Sequence, residues 1–209
     1  MDCMATRIAL RCLATLAALL ATACSDAPKS TPEKPPAKAP EALTGRQAFQ
    51  RMYPQARVWA ADAQPLQLRS INLKDVKSEG GKAGAWQVVF VSMSLAKSKT
   101  YTYSAIEGEN LHEGVFGAVE ESWSGTTGQT APFPVAAIKT DSDQAYDVAV
   151  KNSKEYLKKN PTKPFFFLLE QNKRFPDLTW RVIWGDSVGT SDYSIFVDAS
   201  LGTFLERMH

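Results

Sequence analysis

The sequence predicts an α+β fold of two similar halves, each a helix packed on an antiparallel β-sheet of three to four strands. Three observations point there. Trp86-Gln87-Val88-Val89-Phe90 matches Trp180-Arg181-Val182-Ile183-Trp184 position by position, with aromatic, Val and aromatic alternating at strand period. Each run is followed by a polar turn and a second strand, at residues 99–106 and 192–197. Each is preceded by an apolar stretch just after a proline (66–71 after Pro65, 165–169 after Pro164) and, before that, by a helical pattern.

Residues 1–23 read as a signal peptide. Arg7 and Arg11 make a positive start, and residues 13–21 form an apolar run too short to span a bilayer as a helix. Asp2 suits such a segment poorly, and a start at Met4 would remove it. The run ends Ala21-Thr22-Ala23-Cys24, which resembles a lipobox, the site where a bacterial signal peptidase cuts before a diacylated cysteine. That resemblance implies lipid attachment at Cys24, and Ser25 after it favours the outer membrane, facing the periplasm. The competing assignment is an ordinary Ala-x-Ala cleavage at 21–23.

Residues 24–42 then form a tether. Positions 25–42 hold five prolines, three lysines and three acids, a composition that cannot bury a core. At about 3.1 Å per residue in polyproline II geometry it reaches roughly 55 Å, enough to lift a domain clear of lipid headgroups.

The first half spans residues 43–113. Thr44 and Gln47 have capping-box spacing, and Leu43 with Ala48 has the spacing of a hydrophobic staple. Ala48, Phe49 and Met52 begin an apolar stripe that Ala56, Trp59 and Ala60 extend, with Pro54 as a break or kink. Residues 114–134 form a connector rich in Gly, Thr and Pro. The second half spans 135–209. Its helix starts near Asp141 and buries Tyr146, Ala149, Val150 and Leu157, and Asn160-Pro161 ends it.

The second half resembles a PepSY-type domain, a small α+β module named from peptidase propeptides. Trp180-Arg181-Val182-Ile183-Trp184 and Tyr193-Ser194-Ile195-Phe196-Val197-Asp198-Ala199 carry the resemblance, followed by the Gly202 turn and Thr203-Phe204-Leu205. The first half shares the layout, with Ala105-Ile106-Glu107-Gly108 where Val-Asp-Ala stands in the second. The resemblance implies an extracytoplasmic binding or inhibitory module with no catalytic residues of its own.

Charge and chemistry narrow the function. The net charge is +2, and removing residues 1–23 leaves +1, which gives no basic footprint for nucleic acid. Cys3, Cys12 and Cys24 are all N-terminal, so no disulfide or thiol site serves the folded part. His112 and the terminal His209 are the two histidines, and neither sits in a catalytic or metal-binding pattern. Asp141, Asp143 and Asp147 lack the spacing and later Glu of a calcium loop and read as helix-start acids. Asp198 and Gly202 bracket a tight turn. Lys151, Lys154 and Lys158 share a helical face, which reads as solvated, with contact to anionic lipid headgroups as the alternative. No nucleophile elbow, phosphate loop or dinucleotide fingerprint occurs.

The expectation is therefore a non-enzymatic envelope lipoprotein, without cofactor, that binds a protein or peptide. Trp123 and Phe133 lie in the connector and are the aromatics chosen for display to a partner; the alternative has them cover the seam between the halves. A second function is small-ligand or lipid binding in an apolar pocket between helix and sheet.

Overall fold

The polypeptide from Leu43 onward opens with the capping box that its sequence spells out. The structure is a computed structural model and describes residues 40–108, 110–125, 130–185 and 187–209. The expected signal peptide, Cys24, the tether up to residue 39 and connector residues 126–129 lie outside the described residues. Strand β1 (Leu43–Thr44) leads into helix α1 (Gly45–Trp59). The Thr44 hydroxyl accepts from the Gln47 amide, and the Gln47 side chain accepts from the Thr44 amide. Ala48, Phe49, Met52 and Ala56 form the buried stripe. The helix runs through Pro54, which lies on the exposed side and forfeits one backbone bond without ending the helix.

The strands follow: β2 (Gln64–Ile71), β3 (Lys82–Ala83), β4 (Ala85–Ser92) and β5 (Lys97–Ser104). Then come β6 (Gly114–Gly117), β7 (Glu121–Ser122) and β8 (Thr130–Ala131). A short 3-10 turn (Val135–Ala137) precedes helices α2 (Ser142–Lys151) and α3 (Lys154–Lys159). The chain closes with β9 (Phe165–Asn172), β10 (Thr179–Trp184), β11 (Tyr193–Asp198) and β12 (Phe204–Met208).

These strands correct the expected fold class. The sequence predicts two halves, each with a helix on its own three- to four-stranded sheet. The described residues instead form mostly antiparallel sheet, ten strands in one, with three helices that, together with one 3-10 turn, make up 21% of the described residues. Its main path runs β12-β11-β10-β9-β2-β4-β5-β6. The join is β2 against β9, with Gln67, Leu68 and Arg69 opposite Glu170, Leu169 and Leu168. The Ser70 hydroxyl extends the join by accepting from the Phe167 amide at 2.9 Å. Pairing leaves no free edge at the centre, so both sets of strands close over one core. The described residues, from Pro40 to His209, belong to one compact unit.

Two further elements differ from expectation. The stretch 114–134 supplies three short strands: β6 and β7 both lie along β5, and β8 lies along β9. The second helix is not one piece. The Asn152 side chain donates to the Val148 carbonyl at 2.8 Å, a local bond that competes with the helix, and α3 restarts after Ser153. Of its expected buried residues only Ala149 is fully enclosed; Tyr146, Val150 and Leu157 are half-buried.

All helices pack on one face of the sheet, over Trp86, Phe90, Phe167, Trp180 and Trp184, each at most 1% exposed. Burying side chains of this size stabilises by about 1.5–3 kcal/mol apiece. The two indoles at the repeated position play one part. Trp86 Nε1 donates to the Leu43 carbonyl and Trp180 Nε1 to the Thr140 carbonyl, both at 2.9 Å. Each carbonyl belongs to the residue just before a helix cap, so each strand fixes where its helix begins.

The two helix starts also meet. Asp141 caps α2 with its own capping box to Gln144 and accepts from the Thr44 hydroxyl (2.6 Å) and the Arg46 amide (2.8 Å). Ser142 accepts from the Gly45 amide at 2.8 Å and donates to the Gly81 carbonyl at 2.6 Å. One carboxylate thus neutralises two positive helix ends. The approach requires glycine at 45, where a Cβ would stand 2.7 Å from the Trp180 ring. No helix among the described residues is long and apolar enough to cross a membrane.

Candidate functional site: the helix-free face of the sheet

Strand alternation sends the other half of the side chains to the face that carries no helix. The registers align one row across all eight strands of the main path: Phe116, Thr102, Gln87, Arg69, Leu168, Arg181, Phe196 and Glu206. A neighbouring row holds Val89, Gln67 and Glu170, and a third holds Phe166 opposite Ile183. An antiparallel sheet with one solvated face normally places polar residues there. Here Phe166 and Leu168, half-buried and buried, stand among arginines at the centre.

The polar groups are held in place. The Arg69 guanidinium donates twice to Gln87 Oε1, at 2.9 and 2.6 Å. Gln67 donates to Glu170 at 2.9 Å. Arg181 donates to the hydroxyls of Ser191 and Ser194 and lies 5.4 Å from the Phe196 ring centre. Burial pushes the Arg181 guanidinium down from its ordinary value and the nearby Glu170 pulls it back up; it stays charged.

The face is covered at one end and open at the middle. After β9 the chain folds back so that Phe175 stacks on Phe196 at 4.7 Å, with Arg174 over both rings and paired to Glu206. Over the β2–β9 join lies an open depression of about 540 Å³, bordered by Gln67, Arg69, Phe166, Leu168, Glu170 and Val188. The Arg69 guanidinium and the Glu170 carboxylate border an apolar strip of Phe166 and Leu168 there, while the Arg181 guanidinium is turned toward Ser191, Ser194 and Phe196. Arginine and aromatic surface are the commonest anchors of protein partners.

The residues singled out in the sequence fall elsewhere. Phe133 is 1% exposed and belongs to the core, its amide donating to the Pro65 carbonyl. Trp123 is half-buried, its amide donating to the Ala96 carbonyl. No ring contact joins the two among the described residues. His112 is exposed, bonded to Glu107 and packed on Phe116; His209 packs on Tyr193. Asp141 and Asp143 make caps at the start of α2. The Asp198 carboxylate accepts from the Ser200 and Leu201 amides, and Gly202 takes φ +68°, the turn expected. Among the described residues no three His, Cys, Asp or Glu side chains gather as a metal site requires.

Sequence reasoning missed the Arg69–Leu168–Arg181 row. Its members come from β2, β9 and β10, and the β2–β9 pairing that brings them together is written in no local pattern. Comparison with protein-family models, with curated proteins and with solved structures finds no match to this chain.

Proposed function

We propose that the chain is a non-enzymatic cell-envelope lipoprotein, anchored through lipid on Cys24, that binds a protein or peptide partner on the helix-free sheet face. The observation that carries this reading is the depression over the β2–β9 join, where Arg69 and Glu170 stand beside Phe166 and Leu168. Its form suits an extended segment that lays an apolar side chain on Leu168 and Phe166. A carboxylate of that segment would meet the Arg69 guanidinium, a group that recognises carboxylates in two-pronged fashion. The PepSY resemblance of residues 180–205 agrees with a binding or inhibitory role and supplies no further detail. The small-ligand reading asks for an enclosed apolar pocket, and the depressions of the described surface are open with mixed linings.

The test is site-specific photocrosslinking in intact cells. A photoreactive residue at Leu168 or Phe166 is expected to trap one discrete partner band. The same probe at Val58, exposed on α1, is expected to trap none, and Arg69→Glu is expected to abolish the band. Equal trapping from both faces, or none from either, would overturn the assignment. Cys24→Ser is expected to move the protein from the membrane to the soluble envelope fraction.

A further inference from the structure

The break between α2 and α3 creates a second feature, on the helix-bearing side of the molecule and independent of the sheet face. Lys151 ends α2, and Lys154 and Lys159 bound α3. All three are exposed, and none forms an ion pair among the described residues. Arg207 reaches the same place from β12, its guanidinium donating to the Asn152 carbonyl at 2.7 Å. That carbonyl also accepts from the Tyr193 hydroxyl at 3.4 Å. The sheet therefore holds the break open in one shape, and a groove of about 540 Å³ lies there. Glu155 is its one acidic side chain.

A separate observation concerns Ser153. It lines this groove, is 2% exposed, and its hydroxyl has no hydrogen-bond partner. A buried hydroxyl left unbonded is costly, and such exceptions call for an explanation. Four cations around one groove repel one another until an anion sits between them. The two costs have one remedy, a compact anion with several acceptor oxygens.

We infer that this groove binds a single phosphate group, with Lys151, Lys154, Lys159 and Arg207 supplying charge and Ser153 supplying a hydroxyl donor. Phosphate fits better than carboxylate because its oxygens can take ammonium, guanidinium and hydroxyl donors at once. A nucleic-acid backbone does not fit, since it asks for a basic stripe, and the net charge of the whole chain is +2. The phosphate can belong to a soluble compound or to an anionic lipid headgroup, near which the proposed lipid anchor would keep the domain.

The experiment uses the full chain, kept unlipidated by Cys24→Ser. Inorganic phosphate is titrated by calorimetry at constant ionic strength, and flotation is measured with phosphatidylcholine vesicles with and without phosphatidylglycerol. Saturable one-to-one binding of inorganic phosphate assigns a soluble phosphate compound. Flotation only with phosphatidylglycerol, without such binding, assigns the lipid headgroup. In either arm Lys151→Gln with Lys154→Gln is expected to weaken binding about tenfold or more, while Lys74→Gln with Lys77→Gln, the same charge change elsewhere, leaves it unaltered. Ser153→Ala is expected to melt at or above the parent temperature without ligand and to gain less from it. Binding in neither arm, or equal losses from both lysine pairs, would overturn the inference.

Discussion

Trp86 and Trp180 occupy equivalent places in residues 43–113 and 135–209, and each indole reaches the carbonyl just ahead of a capped helix at the same 2.9 Å. Past those helix starts the two regions part company. α1 runs fifteen residues without a break, even through Pro54, and presents Val58 to solvent. α2 stops after ten, turns at Asn152-Ser153, and restarts as a six-residue α3 bearing unpaired lysines. The shared portion makes the core, and the unshared portion makes the basic groove. A repeated unit can keep its packing device in both copies and vary what lies beyond it, because the indole bond constrains only the first turn of each helix.

The strongest way to break this comparison is to remove the indoles. Trp86→Ala and Trp180→Ala are each expected to cost about 3–5 kcal/mol in urea denaturation. Unequal losses would show that the two places are alike in form only. The caps sharpen the comparison next, because they are not equal. Asp141 serves α2, the Thr44 hydroxyl and the Arg46 amide, so Asp141→Ala is expected to cost about 2 kcal/mol, the top of the range for a cap. Thr44→Ala, which serves fewer groups, is expected to cost about 1 kcal/mol. Pro54→Ala restores the missing amide in α1 and is expected to stabilise by about 1.5 kcal/mol, roughly half the intrinsic difference between the two residues.

The smallest effect concerns Asp62, in the turn between α1 and β2 of the first region. Its carboxylate accepts from the Ser92 and Ser94 hydroxyls and the Ser94 amide, which lower its pKa from 3.8 to about 2. A carboxylate depressed in the folded state stabilises above its ordinary pKa, and that contribution is lost as the pH falls toward the folded value. Asp62→Asn is therefore expected to be less stable than the parent at neutral pH. The two acid-unfolding curves should converge between pH 3.8 and about 2. A constant gap across that window would remove Asp62 as the source.

What the sequence made legible was local. Thr44 with Gln47 announces a helix start by spacing alone, the acids from Asp141 onward mark another, and the Trp-led runs announce strands by alternation. The Asp198–Gly202 turn was equally readable. Strand order was not, because the β2–β9 join rests on three residue pairs 99 to 103 positions apart and needs no particular motif. That one pairing turned two expected sheets into one. β6 escaped notice as four residues bounded by glycines. The α2–α3 break escaped because neither Asn152 nor Ser153 is a usual helix breaker; the Asn152 side chain acts through its bond to Val148. The candidate face inherits the first difficulty, since Arg69 meets Leu168 only across that join. Phe133 misled for the opposite reason: a proline-flanked aromatic in a polar stretch suggests display, yet it fills the core.

The carboxylate that Thr44 and Arg46 share with α2 has a consequence in time. Asp141 lies 97 residues after Thr44, so a chain made at about 5–20 residues per second presents the two roughly 5–20 s apart. Throughout that delay the front of α1 has no anion to sit on and β2 has no β9 beside it. The early part of the chain must wait, unfinished, for the late part to arrive. A chain threaded through a membrane N-terminus first would then complete its fold only after most of it had crossed.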